Sequence, residues 1–60
     1  VQIILNGLTM EFEGTVSQLT GDRRGTAVAV NGTVVPRSEW PVTELRDGDS
    51  VELLTAVQGG

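Results

Sequence analysis

Few of the 60 residues carry a side chain capable of covalent chemistry. There is no Cys and no His, and the four basic residues are all arginine: Arg23, Arg24, Arg37 and Arg46. Thiolate and imidazole metal sites, a Cys or Ser–His nucleophile and a Lys Schiff base are therefore excluded. No glycine-rich phosphate cradle is present, so any nucleotide must be handled by another protein. Asp47 and Asp49 offer two oxygen ligands at loop spacing. Calcium takes six or more and the downstream ligands are missing, so these acids read as a turn. What remains is the last stretch, Val57-Gln58-Gly59-Gly60. Glycine has no Cβ, so this backbone can enter a narrow channel in conformations closed to other residues. Four residues reach ~13–14 Å. The only special group there is the α-carboxylate of Gly60. It is inert to nucleophiles at neutral pH, but adenylation by an ATP-using partner would turn it into an acyl donor. The competing reading is a loose or truncated terminus.

The rest of the composition narrows the setting. A net charge of −4 disfavours nucleic acid, whose affinity rests on basic contacts to phosphate. The longest apolar run is far short of the ~20 residues that span a bilayer, and no signal-peptide pattern opens the chain. The expectation is one soluble, cytoplasmic domain over residues 1–60 with a flexible tail at about 57–60. So small a chain has a marginal core and lacks the disulfides or metal that usually staple such domains.

The elements that must position the tail follow from hydrophobic period. Val1, Ile3 and Leu5 alternate with polar or outward residues, Asn6-Gly7 follows, and then Leu8, Met10 and Phe12 alternate with Thr9, Glu11 and Glu13. Two alternating runs joined by Asn-Gly predict a hairpin, with strands at about 1–6 and 8–13 and all three apolar residues of the second facing in. Thr15 and Gln18 fit a capping box, Val16 and Leu19 share a helical face, and Gly21 supplies a stop. A helix this short must be held by docking on the sheet. A second hairpin runs from Thr26 to Val35 around Asn31-Gly32, and Pro36 ends its pairing. Residues 37–41 connect, with room for one helical turn, and Trp40 plugs the edge of the core. Leu45 plugs the core ahead of the turn Asp47-Gly48-Asp49. A last strand spans about 51–56 with Val51 and Leu53 facing in. If that strand lies beside and parallel to the first, the two hairpins fuse. The fold class is then α+β, a ubiquitin-like β-grasp with a mixed five-stranded sheet and one short helix on one face. A small open barrel is the competing arrangement.

With these elements in place, Val1-Gln2-Ile3-Ile4-Leu5-Asn6-Gly7, Val28-Ala29-Val30-Asn31-Gly32, Val34-Val35-Pro36-Arg37-Ser38, Leu45-Arg46-Asp47-Gly48-Asp49 and the closing Gly59-Gly60 together resemble the ThiS family of sulfur carriers. The resemblance runs the length of the chain in the family's order. It implies a carrier in thiamin biosynthesis that is not itself an enzyme and binds no cofactor or metal. A ubiquitin-activating-type adenylating enzyme would use ATP to form the Gly60 acyl-adenylate. A persulfide donor would replace AMP by sulfur, leaving a thiocarboxylate, and thiazole synthase would consume that sulfur. The rival readings are a carrier of another pathway, such as the molybdopterin synthase small subunit, a ubiquitin-like modifier of lysines, or a passive interaction module.

A partner must also grip the body. Ile4, Ala29, Leu54 and Ala56 alternate away from the inward set, onto the sheet face opposite the helix. Ile4 and Leu54 are expected to form an exposed apolar patch for the adenylating enzyme, with Ala56, Val57 and Gln58 leading to the diglycine. Scattered surface aliphatics are the plainer alternative. Arg23 and Arg24 read as part of a solvated loop.

Overall fold

Each Asn-Gly pair makes the turn its sequence demands. The computed structural model describes residues 1–21 and 25–55. Asn6 and Gly7 have φ of 48° and 84°, and Asn31 and Gly32 have 52° and 84°. Two consecutive positive φ values define the turn whose twist matches paired strands, and Asn and Gly are the residues that tolerate them. The first turn joins β1 (Gln2–Leu5) to β2 (Leu8–Glu11), and the second joins β3 (Thr26–Val30) to β4 (Thr33–Val35). A fifth strand, β5 (Ser50–Thr55), runs parallel to β1 and antiparallel to β3, giving the order β2-β1-β5-β3-β4. The expected fusion of two hairpins by the last strand is the arrangement observed, and the barrel is not.

One face of the sheet is covered. Helix α1 (Val16–Thr20) is closed by the expected box: Gln18 N–H donates to Thr15 Oγ1, and Thr15 N–H donates to Gln18 Oε1. The helix is tied down by Val16 N–H to the Thr43 carbonyl and by Leu45 N–H to the Gly14 carbonyl, both 2.9 Å. The connecting segment forms a six-residue 3-10 helix, Arg37–Val42, longer than the single turn expected. Its Trp40 is buried, donates its indole N–H to the Val35 carbonyl at 3.0 Å, and carries the Arg37 guanidinium 5.2 Å from the ring centroid. Pro36 starts this helix with φ −61° as well as ending β4. The core is Ile3, Val28 and Val51 from the sheet against Val16, Trp40 and Leu45 from the cover. Leu19, Met10, Phe12 and Leu53 pack around it half-buried.

One inward expectation fails. Leu8 pairs with Leu5 and shares its face, yet it is 74 % exposed. It stands at the tip of the first hairpin on the edge strand, where the cover is too short to reach it.

Asp47 and Asp49 organise the turn before β5. Asp47 Oδ1 accepts from Gln2 N–H, and Gly48 N–H donates to the Gln2 carbonyl. The Asp49 carboxylate accepts from Arg46 N–H through Oδ2 and from the Asn31 side-chain amide through Oδ1.

Candidate functional site

The strand that delivers the C-terminus is the central one, and it is pinned from both hairpins. On one side Ile4 N–H donates to the Asp49 carbonyl and Asn6 N–H to the Val51 carbonyl, each at 2.9 Å. Beyond the turn, the Asn6 side chain continues the ladder. Its Oδ1 accepts from Leu53 N–H at 2.8 Å and its Nδ2 donates to the Leu53 carbonyl at 3.3 Å, so a side-chain amide stands in for one more residue of β1. On the other side Asn31 N–H donates to the Ser50 carbonyl at 2.7 Å, and Ser50 N–H donates to Asn31 Oδ1 at 3.0 Å. A strand held in this way has its position and direction fixed from both sides between Ser50 and Leu53.

The face opposite the helix is open. Ile4 is 38 % exposed and Leu54 64 %, both outward as the alternation predicts. They do not touch. Ile4 is level with Ser50, so Leu54 lies four residues further along the neighbouring strand, about 14 Å away. Glu52 stands between them on the same face. Leu54 is instead paired with Ala27, and Ala29 is flanked by Glu52 and by Val34, which is 69 % exposed. The apolar surface is therefore Leu54, Ala27, Ala29 and Val34, with Ile4 a separate outlier. Val34 and Ala27 were not among the expected docking residues. The alternation Thr33-Val34-Val35 carried the signal for Val34, since Val35 packs inward. The outward strand residues include Glu11 and Glu52 and no arginine.

The model of the ThiS family matches residues 1–60, the whole sequence. The chain belongs to the ThiS family. It is 30 % identical over 66 aligned positions to the sulfur carrier protein ThiS of Escherichia coli (strain K12), covering all of both chains. The crystal structure of the thiamine biosynthesis protein ThiS from Geobacter metallireducens superposes with a TM-score of 0.82 at 26 % identity, again over all of both chains. The mixed five-stranded sheet with its short helix is thus the ThiS architecture.

The expected carrier residues of this ThiS-family chain, Gly59 and Gly60, lie outside the described residues, as do Ala56, Val57, Gln58, Arg23 and Arg24. At the end of β5, Leu19, Thr20, Thr26, Leu53 and Thr55 line a shallow cleft of about 220 Å³. The Thr26 hydroxyl is buried there without a partner among the described residues. Among the described residues the lining of the cleft is apolar and hydroxyl-bearing. Among the described residues no three His, Cys, Asp or Glu side chains gather where they could hold a metal ion. No helix among them is long and apolar enough to cross a membrane. At the opposite end of the sheet the Val1 ammonium donates to Glu11 Oε2 at 2.8 Å, which raises its pKa above the ordinary amine value.

Proposed function

We propose that this chain is a sulfur carrier of thiamin biosynthesis whose cargo rides on the carboxyl carbon of Gly60. The observation that carries the reading is the ThiS-family match over residues 1–60, which includes the closing Gly59-Gly60. The chemistry agrees with what the sequence lacks. With no Cys, His or Lys, the chain has no side-chain thiol to carry sulfur and no side-chain amine or imidazole for an activated carboxyl to acylate. The carrier is a co-substrate, and the catalytic groups belong to its partners. An adenylating enzyme of the ubiquitin-activating type joins the Gly60 carboxylate to AMP from ATP and releases pyrophosphate. Sulfur from a persulfide donor displaces AMP to leave the thiocarboxylate, and thiazole synthase takes that sulfur. The carrier itself binds no cofactor.

The body supplies the grip and the direction. Strand β5 is held at Ser50, Val51 and Leu53, and residues 56–58, next in the sequence, would be the lead into the partner's channel. The outward Leu54, Ala27 and Val34, with Ile4 further along, form the docking face. Glu11 and Glu52 on that face suit a partner surface with an apolar centre and basic flanks. The test is the intact mass after incubation with ATP, an adenylating enzyme and a sulfur source. Exchange of one oxygen for sulfur in the C-terminal peptide supports the reading. An unmodified terminus with a competent cognate enzyme overturns it, and an amide adduct to a lysine assigns the chain to the modifiers instead.

A further inference from the structure

Both Asn-Gly pairs carry a reactivity that their role as turns does not use. A glycine after asparagine leaves the following backbone nitrogen unhindered, so this dipeptide is prone to cyclise. In the reaction the Gly nitrogen bonds to Cγ of the Asn and the Cγ–Nδ2 bond breaks. The glycine amide proton passes through solvent to the departing nitrogen, and ammonia leaves. Water then opens the succinimide at either carbonyl, giving Asp or isoaspartate and a carboxylate whose proton goes to solvent. We propose that Asn6 and Asn31 are spontaneous deamidation sites kept latent by β5, whose backbone and preceding turn hold both carboxamides away from the attacking nitrogen. Each amide is engaged at both ends: Asn6 with N–H and carbonyl of Leu53, Asn31 with Ser50 N–H and Asp49 Oδ1. Cyclisation requires both bonds to break and the positive-φ turn to reopen, so it proceeds through locally opened molecules. The products cannot return to the same place. At Asn31 the Nδ2 donor that faces Asp49 Oδ1 at 3.0 Å becomes a carboxylate oxygen facing a carboxylate. At Asn6 an acceptor replaces the donor beside the Leu53 carbonyl. Modification therefore loosens the strand that carries the tail, on one side or the other.

The test is peptide mass mapping of the full chain aged at mildly alkaline pH, folded and in urea, counting Asp and isoaspartate at each site. The expected result is fast conversion of both sites in urea and conversion slower by about tenfold or more in the folded protein, since two hydrogen bonds must open first. Equal rates in the two states overturn the proposal. Asp49→Ala removes the Nδ2 partner of Asn31 and leaves the Asn6 contacts untouched, so each molecule contains its own control. Acceleration at Asn31 alone supports the assignment. Equal acceleration at both sites means that the variant merely unfolds more often, and overturns the role given to Asp49. An unchanged rate at Asn31 overturns it as well.

Discussion

Asn6 fills a backbone position and a side-chain position at once, and two substitutions separate them. Asn6→Gly keeps the positive φ of 48° accessible but removes both bonds to Leu53. The 2.8 Å bond is well formed and the 3.3 Å bond is long, and water can reach both Leu53 groups once the side chain is gone. The expected loss is then about 1–2 kcal/mol, including the added chain entropy of glycine in the unfolded state. Asn6→Ala loses the same bonds and also forces a Cβ into the left-handed region, which adds about 1 kcal/mol or more. A 60-residue domain has roughly 3–9 kcal/mol in total, so both losses are large fractions. At 4–8 °C per kcal/mol, Tm falls by roughly 5–15 °C for the glycine variant and roughly 10–20 °C for alanine. Trp40, the single tryptophan and 3 % exposed, reports unfolding by fluorescence in urea or on heating. A glycine variant as stable as the parent would refute the side-chain continuation of the β1–β5 ladder. An alanine variant no worse than the glycine one would refute the demand for positive φ.

Three further outcomes follow from the same geometry. Gly14 has φ 144°, and a Cβ there would strike the Gln18 Oε1 that closes the capping box; Gly14→Ala should cost about 2 kcal/mol or more and Thr15→Ala about 1 kcal/mol, read by urea midpoints at constant m. Leu54→Asp should leave the urea midpoint within about 0.5 kcal/mol of the parent and weaken association with the adenylating enzyme by about 2 kcal/mol or more. Ile4→Asp should weaken it less, because Ile4 stands apart from the Leu54 cluster; calorimetric titration of both variants decides whether that separation matters. Deletion of Gly59-Gly60 should leave the Trp40 unfolding curve unchanged while abolishing thiocarboxylate formation, as read by mass.

Local signals were legible wherever a few neighbouring residues decide the outcome. Asn6-Gly7 and Asn31-Gly32 announce their turns, Thr15 with Gln18 announces the helix start, and Asp47-Gly48-Asp49 announces the turn before β5. The outward direction of Ile4 and Leu54 follows from alternation alone. Their separation does not, because it depends on the register of β1 against β5. No hairpin sets that register; Asn6 reaching Leu53 and Asp47 reaching Gln2 set it, and neither contact has a sequence pattern of its own. Leu8 shows a similar limit. Its face was readable, but its exposure depends on how far a five-residue helix extends over the sheet. The length of the 3-10 helix was hidden by Pro41, which sits inside it and reads locally as a stop. The assignment of cargo to Gly60 rests on the missing Cys, His and Lys together with the family resemblance, and it falls on residues outside those described.

The central place of β5 also sets the order in which this domain can be built during synthesis. Ile4 meets Ser50 and Leu5 meets Val51, partners 46 residues apart (50 − 4 and 51 − 5). Each hairpin closes over a short loop, but no strand pairing joins the two hairpins into one sheet until the last of the five strands has been made. A nascent chain that stops before β5 therefore holds two unpaired hairpins with open edges, a form suited to chaperones and proteases. Because residues 56–60 follow directly on the strand that completes the sheet, a chain made as far as Gly60 is also one that holds everything its sheet needs.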